Sequence, residues 1–334
     1  MPRITIKDLA KRLNINPSTV SRALRNRPDV SAELKEKIKL LAEKLGYKPN
    51  YMAINLRSGK SHTIGLIIPE ISMFFFPSVI KAIEEEAHNR GYNLLMLHSN
   101  DSLDREIENA EICAHAGVDG ILVSLTRQSK DIEHFQELAY AGVPIVYFDK
   151  VLHNTESHKV VIPGLEVAEL AVRQLLQLVK APKRVCGIFG DSRLSITQER
   201  VQGYTQALAQ AGIEADPANI CYGLSADDAE KQFLTLWAQK KKPDALFVMS
   251  DEILSGVLQA INRLEIKIPK QLQLVALSDG MLPQLVPFNI PYVETSGYTL
   301  GKTASLLLFN LIASMPILPD THYIETGFVA GRGA

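Results

Sequence analysis

From residue 61 onward, short apolar runs alternate with amphipathic helical stretches. The runs that read as strands cover 64–68, 93–97, 120–125, 144–148, 185–189, 245–249 and 272–277. The helical stretches include 79–89, 165–178, 196–211, 226–238 and 253–264. This alternation predicts an α/β fold, because parallel strands need a crossover of helical length between them. The units are too many for one small sheet, and a break near 160–164 predicts two lobes.

The 334 residues leave room for two or three domains, and 46% apolar with 22% charged residues is ordinary globular composition. No apolar run is long enough to span a bilayer, and residues 1–11 carry no secretory stretch, which argues against a membrane protein and against export. Cys113, Cys186 and Cys221 are odd in number and widely spaced, so they suit a reducing cytosol better than a disulfide framework or a zinc site.

Charge divides the chain unevenly. Residues 1–60 hold 14 Lys and Arg against 5 Asp and Glu, a net of +9, whereas the remainder carries −10. A small basic module beside a large acidic body points to a polyanionic partner, double-stranded DNA first.

Within the basic module, Ile6, Leu9, Ala10 and Leu13 define one apolar helical face, with Thr5 as N-cap. Asn14-Ile15-Asn16 breaks the period, and Pro17 opens a second helix that buries Val20, Ala23 and Leu24. A third helix opens at Ser31, with a stripe of Leu34, Ile38, Leu41, Ala42 and Leu45 ahead of Gly46. Two short helices joined by a tight turn, with a third behind, form a helix-turn-helix whose second helix enters the major groove. Ser18, Thr19, Ser21, Arg22 and Arg25 face outward, the hydroxyls suited to phosphates and Arg22 to a guanine edge. Any three-helix module also has a polar outer face.

Further on, Asn50, Ala53 and Leu56 share one side of a short helix, with Leu56 between basic residues. A leucine so placed suits a wedge in a minor groove, or equally packing on its own domain.

Three runs then carry a resemblance: Thr5-Ile6-Lys7-Asp8-Leu9-Ala10, Pro17-Ser18-Thr19-Val20-Ser21-Arg22-Ala23-Leu24 and Leu45-Gly46-Tyr47-Lys48-Pro49-Asn50. Together with Thr63-Ile64-Gly65-Leu66-Ile67-Ile68-Pro69 they resemble the lac repressor (LacI/GalR) family. The resemblance implies a small all-α helix-turn-helix DNA-binding domain plus an α/β two-lobed periplasmic-binding-protein-like effector domain. It implies that Pro17, Ser18 and Arg22 read bases, and that residues around Asn50 to Leu56 form a hinge helix ordered on DNA. The candidate DNA contacts are thus Thr5, Asn16, Pro17, Ser18, Thr19, Ser21, Arg22, Ser31, Asn50, Ala53 and Leu56. The implied division is a DNA-binding domain over 1–49, a hinge over 50–60 and an effector and dimerisation domain over 61–334. Three crossings near 160–163, 289–295 and 317–324 then leave 61–160 and 295–317 in one lobe, and 161–294 and 318–334 in the other.

Ligand candidates gather at strand ends. Phe75 and Phe76, in the run Phe74-Phe75-Phe76, suit stacking on a sugar-like ligand, or equally core packing. Asp149 and Asp251 end strands, where carboxylates accept from ligand hydroxyls or equally cap the next helix. By resemblance, Arg200 is the arginine that holds effector hydroxyls or carboxylates. Departures from the family pattern stand at Ser250-Asp251, at 163–167, and at Leu277-Ser278-Asp279, where Ser278 replaces the aspartate expected to face the effector. These departures predict an effector unlike a free hexose, or a weakened pocket.

Gly297-Tyr298-Thr299-Leu300-Gly301-Lys302-Thr303 imitates a phosphate-binding loop but has three residues between its glycines instead of four. No catalytic or metal motif appears, so neither an enzyme nor a cofactor is expected. The reading is a bacterial, cytoplasmic, nucleoid-associated transcription regulator, most simply a repressor. It binds a pseudo-palindromic operator as a homodimer and answers to a sugar, a sugar derivative or another metabolite. No heptad tail follows 327–334, which favours a dimer over a tetramer. A small-molecule binding protein without DNA is the rival, and it leaves the basic module without a purpose.

Overall fold

The computed structural model describes residues 4–47, 60–71 and 74–331. The chain divides into two compact units, 1–61 and 62–334.

In the first unit, α1 (Ile6–Leu13), α2 (Pro17–Leu24) and α3 (Ala32–Lys44) enclose a small core of Leu9, Ala10, Val20, Ala23, Val30, Ile38 and Ala42. Each helix starts where its sequence provides a cap. Thr5 and Asp8 form a reciprocal capping box, the Asp8 N–H donating to Thr5 Oγ1 at 3.3 Å and the Thr5 N–H to Asp8 Oδ2 at 2.8 Å. Asn16 Oδ1 accepts from the Ser18 N–H at 2.9 Å with Pro17 in the first turn, and Ser31 Oγ accepts from the Leu34 N–H at 3.4 Å. Each such cap is worth about 1 kcal/mol. Asn14, at φ 52°, closes α1 in the left-handed region that Asn tolerates, which allows the tight turn into α2.

The second unit is built on two six-stranded sheets. The first contains β1 (Thr63–Ile68), β2 (Asn93–His98), β3 (Gly120–Val123), β4 (Ile145–Phe148), β5 (His158–Val161) and a late strand, β11 (Thr321–Tyr323). Their order is β11-β5-β4-β3-β1-β2, all parallel. The second contains β6 (Val185–Phe189), β7 (Ile220–Tyr222), β8 (Ala245–Val248), β9 (Gln273–Ser278), β10 (Tyr292–Glu294) and β12 (Phe328–Val329). Its order is β12-β10-β9-β8-β6-β7, parallel except for β12 against β10. Around them, in chain order, lie α4 (Phe75–Asn89), α5 (Leu103–Ala116), α6 (Gln136–Tyr140), α7 (Gly164–Leu178), α8 (Ser195–Gln210), α9 (Ala226–Ala238), α10 (Asp251–Arg263), α11 (Met281–Leu285) and α12 (Gly297–Ile312). The central strands are buried on both faces, as in parallel sheets covered by helices, and therefore read as continuous apolar runs.

The chain passes between the lobes after β5, after β10 and after β11. Here the sequence reading needs correction, because 318–334 does not belong wholly to the second lobe. Thr321, His322 and Tyr323 register with Lys159, Val160 and Val161, so β11 completes the first sheet before β12 joins the second. Five strands escaped the sequence reading: β5, β7, β10, β11 and β12. They have two to four residues each, too few to show a period.

The apparent phosphate loop is the first turn of α12, capped by Ser296. A Cβ on Gly297 would stand 2.6 Å from the Phe75 carbonyl oxygen, and one on Gly301 would stand 2.6 Å from that of Val79. These glycines let α12 lie against the backbone of α4.

Candidate effector cleft and DNA-reading face

Parallel sheets place their catalytic or binding loops at the carboxyl ends of the strands, where the connections open a crevice. Both sheets obey this here. Glu70 follows β1, Arg127 follows β3, and Asp149 and Lys150 follow β4. From the other lobe, Asp191 follows β6, Leu224 follows β7, Met249 to Glu252 follow β8, and Thr295 follows β10. These residues line one cleft with Phe75 and Phe76 at the start of α4 and Arg200 in α8.

Five of the six sequence-predicted ligand residues meet in this cleft: Phe75, Phe76, Asp149, Arg200 and Asp251. The Phe75 and Phe76 rings meet edge-on, centroids 5.6 Å apart, with Phe76 in the core and Phe75 half-buried. Arg200 is 6% exposed; Nη1 donates to the Met249 carbonyl at 3.0 Å, and its buried Nε has no hydrogen-bond partner. Burial pulls its guanidinium down to about 10, opposed by the negative charges of Asp149 and Glu199. It therefore remains charged at neutral pH. Burial pushes the Asp149 carboxyl above the usual range, opposed by Lys150 and Arg200.

Ser278 is the exception. It is 1% exposed and lies behind the cleft, its hydroxyl donating to Asp251 Oδ1 at 2.5 Å and accepting from the Gly280 N–H at 2.9 Å. Both capacities of the hydroxyl are used inside the protein, so it orients Asp251 rather than facing a ligand. Asp251 also accepts from the Asp279 N–H at 2.8 Å, and Ser250, not Asp251, caps α10. Burial pushes the Asp251 carboxyl up to about 6 against those two hydrogen bonds.

Sequence reasoning missed the charged residues that join the lobes. Arg127 Nε donates to Asp101 Oδ2 at 2.8 Å, and Arg127 Nη1 stands 3.6 Å from Asp191 Oδ2 on the other lobe. Arg193 Nη2 also reaches Asp191 Oδ2, at 2.5 Å. Elsewhere across the cleft, Ser78 Oγ donates to Asp279 Oδ2 at 2.5 Å, and His153 Nε2 lies 2.8 Å from Glu199 Oε1. The loop carrying Arg127 is held from beneath by Glu106, fully buried in α5. That carboxylate accepts from the Thr126 N–H at 2.7 Å and the Ser129 hydroxyl at 2.6 Å, with His134 Nε2 at 2.9 Å. The polar run Asp104-Arg105-Glu106 was the available signal, but a buried glutamate reads from sequence as a surface residue.

In the N-terminal unit, Pro17, Ser18 and Arg22 are exposed on α2 and Arg25 at its C-cap, and Thr19 and Ser21 are half-buried. Ser18, Ser21, Arg22, Arg25 and Arg27 line a shallow groove with Pro28 and Asp29. The Arg22 guanidinium donates to Asp29 Oδ2 at 2.9 Å. Thr5, Asn16 and Ser31 are exposed at their helix starts, where their side chains serve as caps. Asn50, Ala53 and Leu56, and with them the hinge reading, lie outside the described residues.

A three-helix unit with a basic helix face, followed by a two-lobed α/β unit with a polar cleft, is the layout of a DNA-binding transcription regulator. Residues 5–50 match the family described as "Bacterial regulatory proteins, lacI family", and residues 61–326 match "Periplasmic binding proteins and sugar binding domain of LacI family". The chain belongs to the LacI family of DNA-binding transcription regulators. It is 30% identical over 309 residues to the HTH-type transcriptional repressor CytR of Escherichia coli, covering 92% of this chain and 89% of that one. It is 28% identical over 307 residues to catabolite control protein A of Priestia megaterium, covering 91% of each. These relatives are regulators, not enzymes. The fold matches the lac repressor dimer bound to operator and the anti-inducer ONPF, with TM-score 0.87, 19% identity and 99% of both chains covered. It also matches the CelR–cellobiose complex, with TM-score 0.73, 23% identity, and 99% and 100% covered. Among the described residues no helix is long and apolar enough to cross a membrane.

Proposed function

We propose that the chain represses transcription by binding a pseudo-palindromic operator as a homodimer, under control of a small polar effector held between the lobes. The observation that carries the effector reading is Arg200, a buried guanidinium with an unpartnered Nε in a cleft shared with Asp149, Asp251 and Phe75. A buried charged donor left without a partner is costly, and a hydroxyl or carboxylate ligand relieves that cost. The similar lac repressor structure holds operator and an anti-inducer, and the similar CelR structure holds cellobiose; both kinds of binding are carried to this chain as part of the proposal.

On the DNA side, α2 enters the major groove, with Arg22 reading a base edge and the Ser18 and Ser21 hydroxyls holding phosphates. The segment from Asn50 to Leu56 orders on the operator, with Leu56 as a wedge at the central step. One module reads a half-site, so two-fold symmetry gives the palindrome. The effector acts through its different affinities for two lobe arrangements. It is not a simple neutral hexose, since Ser278 turns inward where an acceptor for hydroxyls is expected.

Selection of bound sites from a random double-stranded DNA pool at near-physiological salt tests the DNA half. Enrichment of a pseudo-palindrome with a flexible central step is expected, and a pool without symmetry after repeated rounds rejects it. Calorimetric titration tests the effector half, where Arg200→Met should abolish small-molecule binding that the native chain shows.

A further inference from the structure

Most charges in the cleft are matched within the protein. Arg127 is held by Asp101 and Asp191, and Lys150 Nζ lies 4.0 Å from Asp101. Asp191 is held by Arg193, and Asp251 accepts from Ser278 and the Asp279 N–H. Three lining carboxylates make no such pair: Asp149, which has the charges of Lys150 and Arg200 beside it, and Glu70 and Glu252. Glu70 follows β1 on one lobe and Glu252 lies in the first turn of α10 on the other; both are half-buried, and neither carboxylate has a hydrogen bond or ion pair with a described residue.

Their arrangement is electrostatically unfavourable as it stands. Burial first, and then the negative charge of Glu70, push the Glu252 carboxyl above its usual range, against the pull of Lys150 and Arg127. Five carboxylates line the cleft against the three cations Arg127, Lys150 and Arg200. Carboxylates on opposing walls whose nearby cations, Arg127 and Lys150, are already engaged with Asp101 suit a ligand cation, and the buried, unpartnered Nε of Arg200 independently marks the same cavity as built for a polar ligand.

Resting on the effector reading above, we propose that the effector is a hydroxylated primary amine of the amino-sugar class. Its ammonium sits between Glu70 and Glu252, and its hydroxyls meet Arg200 and Asp149. A cation bound to both walls removes their mutual repulsion and ties the lobes together. That gives the ligand the differential affinity for one arrangement that regulation requires. The same hydroxylated ring without its amine leaves both carboxylates unmatched.

The test titrates the full chain calorimetrically with D-glucosamine and D-galactosamine, and with D-glucose and D-galactose as neutral counterparts, at neutral pH. At least one amine should bind more tightly than its counterpart by about ten-fold or more, the size of a hydrogen-bonded charge interaction. Glu70→Gln and Glu252→Gln should each shrink that preference, with circular dichroism checking that the variants fold. If a variant fails to fold, salt titration of the native chain replaces it, and the amine preference should fall as salt rises. Equal binding of amine and neutral sugar overturns the amine assignment and leaves the effector reading intact. An amine preference that survives both substitutions overturns the Glu70–Glu252 seat. Silence from all four probes also overturns the assignment, and the effector reading is then judged separately, by whether a small-molecule cell extract alters operator binding.

Discussion

Arg127 and Asp191 face each other across the mouth of the cleft at 3.6 Å, one on each lobe, and each is also anchored at home, Arg127 by Asp101 and Asp191 by Arg193. The pair therefore spans the boundary between the lobes with both side chains already anchored, so little rotamer entropy is lost when it forms. Ser78 with Asp279, and His153 with Glu199, make two further ties between the lobes.

Asp191→Asn weakens this tie while leaving the Arg127–Asp101 contact in place. A partly exposed pair of this kind contributes about 0.2–1 kcal/mol, so affinity for an effector that favours the closed arrangement should fall by about 1.4- to five-fold. Calorimetry gives the affinity, and small-angle scattering should show a more open effector unit. An unchanged affinity would mean the pair only decorates the rim.

The base contact proposed for Arg22 competes with its ion pair to Asp29. Arg22→Ala should weaken specific operator binding by ~1–3 kcal/mol while nonspecific binding changes much less. Asp29→Asn frees the guanidinium and removes a negative charge from the groove, so DNA affinity should rise and its salt dependence steepen. Fluorescence anisotropy across a salt series reads both. A uniform loss over all sequences in Arg22→Ala would reassign that residue to phosphate.

Burial pushes the Asp251 carboxyl from its ordinary 3.8 up to about 6. Between those values the folded state binds more protons than the unfolded one, so this group's contribution to stability falls as pH rises through that window. Ser278→Ala removes a hydrogen bond to the charged form and should drive the carboxyl above its native value. Carbon-detected NMR of the carboxylates would measure the change. A downward shift would contradict the orienting role given to Ser278.

Gly203 in α8 faces the backbone of α7, and a Cβ there would stand 2.1 Å from the Leu165 carbonyl oxygen and 2.9 Å from the Glu169 nitrogen. Backbone atoms give way poorly, so Gly203→Ala should destabilise the effector unit by ~1–3 kcal/mol. The urea midpoint should drop accordingly. Gly46→Ala, where nothing lies within 4 Å but φ is +61°, should cost less and act on the N-terminal unit alone.

Local chemistry made much of this protein legible in sequence. Thr5, Asn16 with Pro17, and Ser31 start helices because their side-chain oxygens satisfy amide donors a few residues away, an interaction confined to one turn. The long buried strands announced themselves as apolar runs, and strand–helix alternation dictated parallel sheets, so Asp149 and Asp251 could be placed at carboxyl ends. Tertiary structure alone decided what those ends meet. Ser278 could be located next to a strand terminus, but only packing revealed that its hydroxyl is spent on Asp251 and the Gly280 amide. Thr321 to Tyr323 looked like part of the last lobe until pairing with Lys159 to Val161 claimed them for the first sheet. Arg127 with Asp191, and Glu70 with Glu252, are far apart in the chain and carry no spacing signal. Their coupling is Coulombic, acts through space, and depends on how closely two separately wound sheets bring their carboxyl edges together.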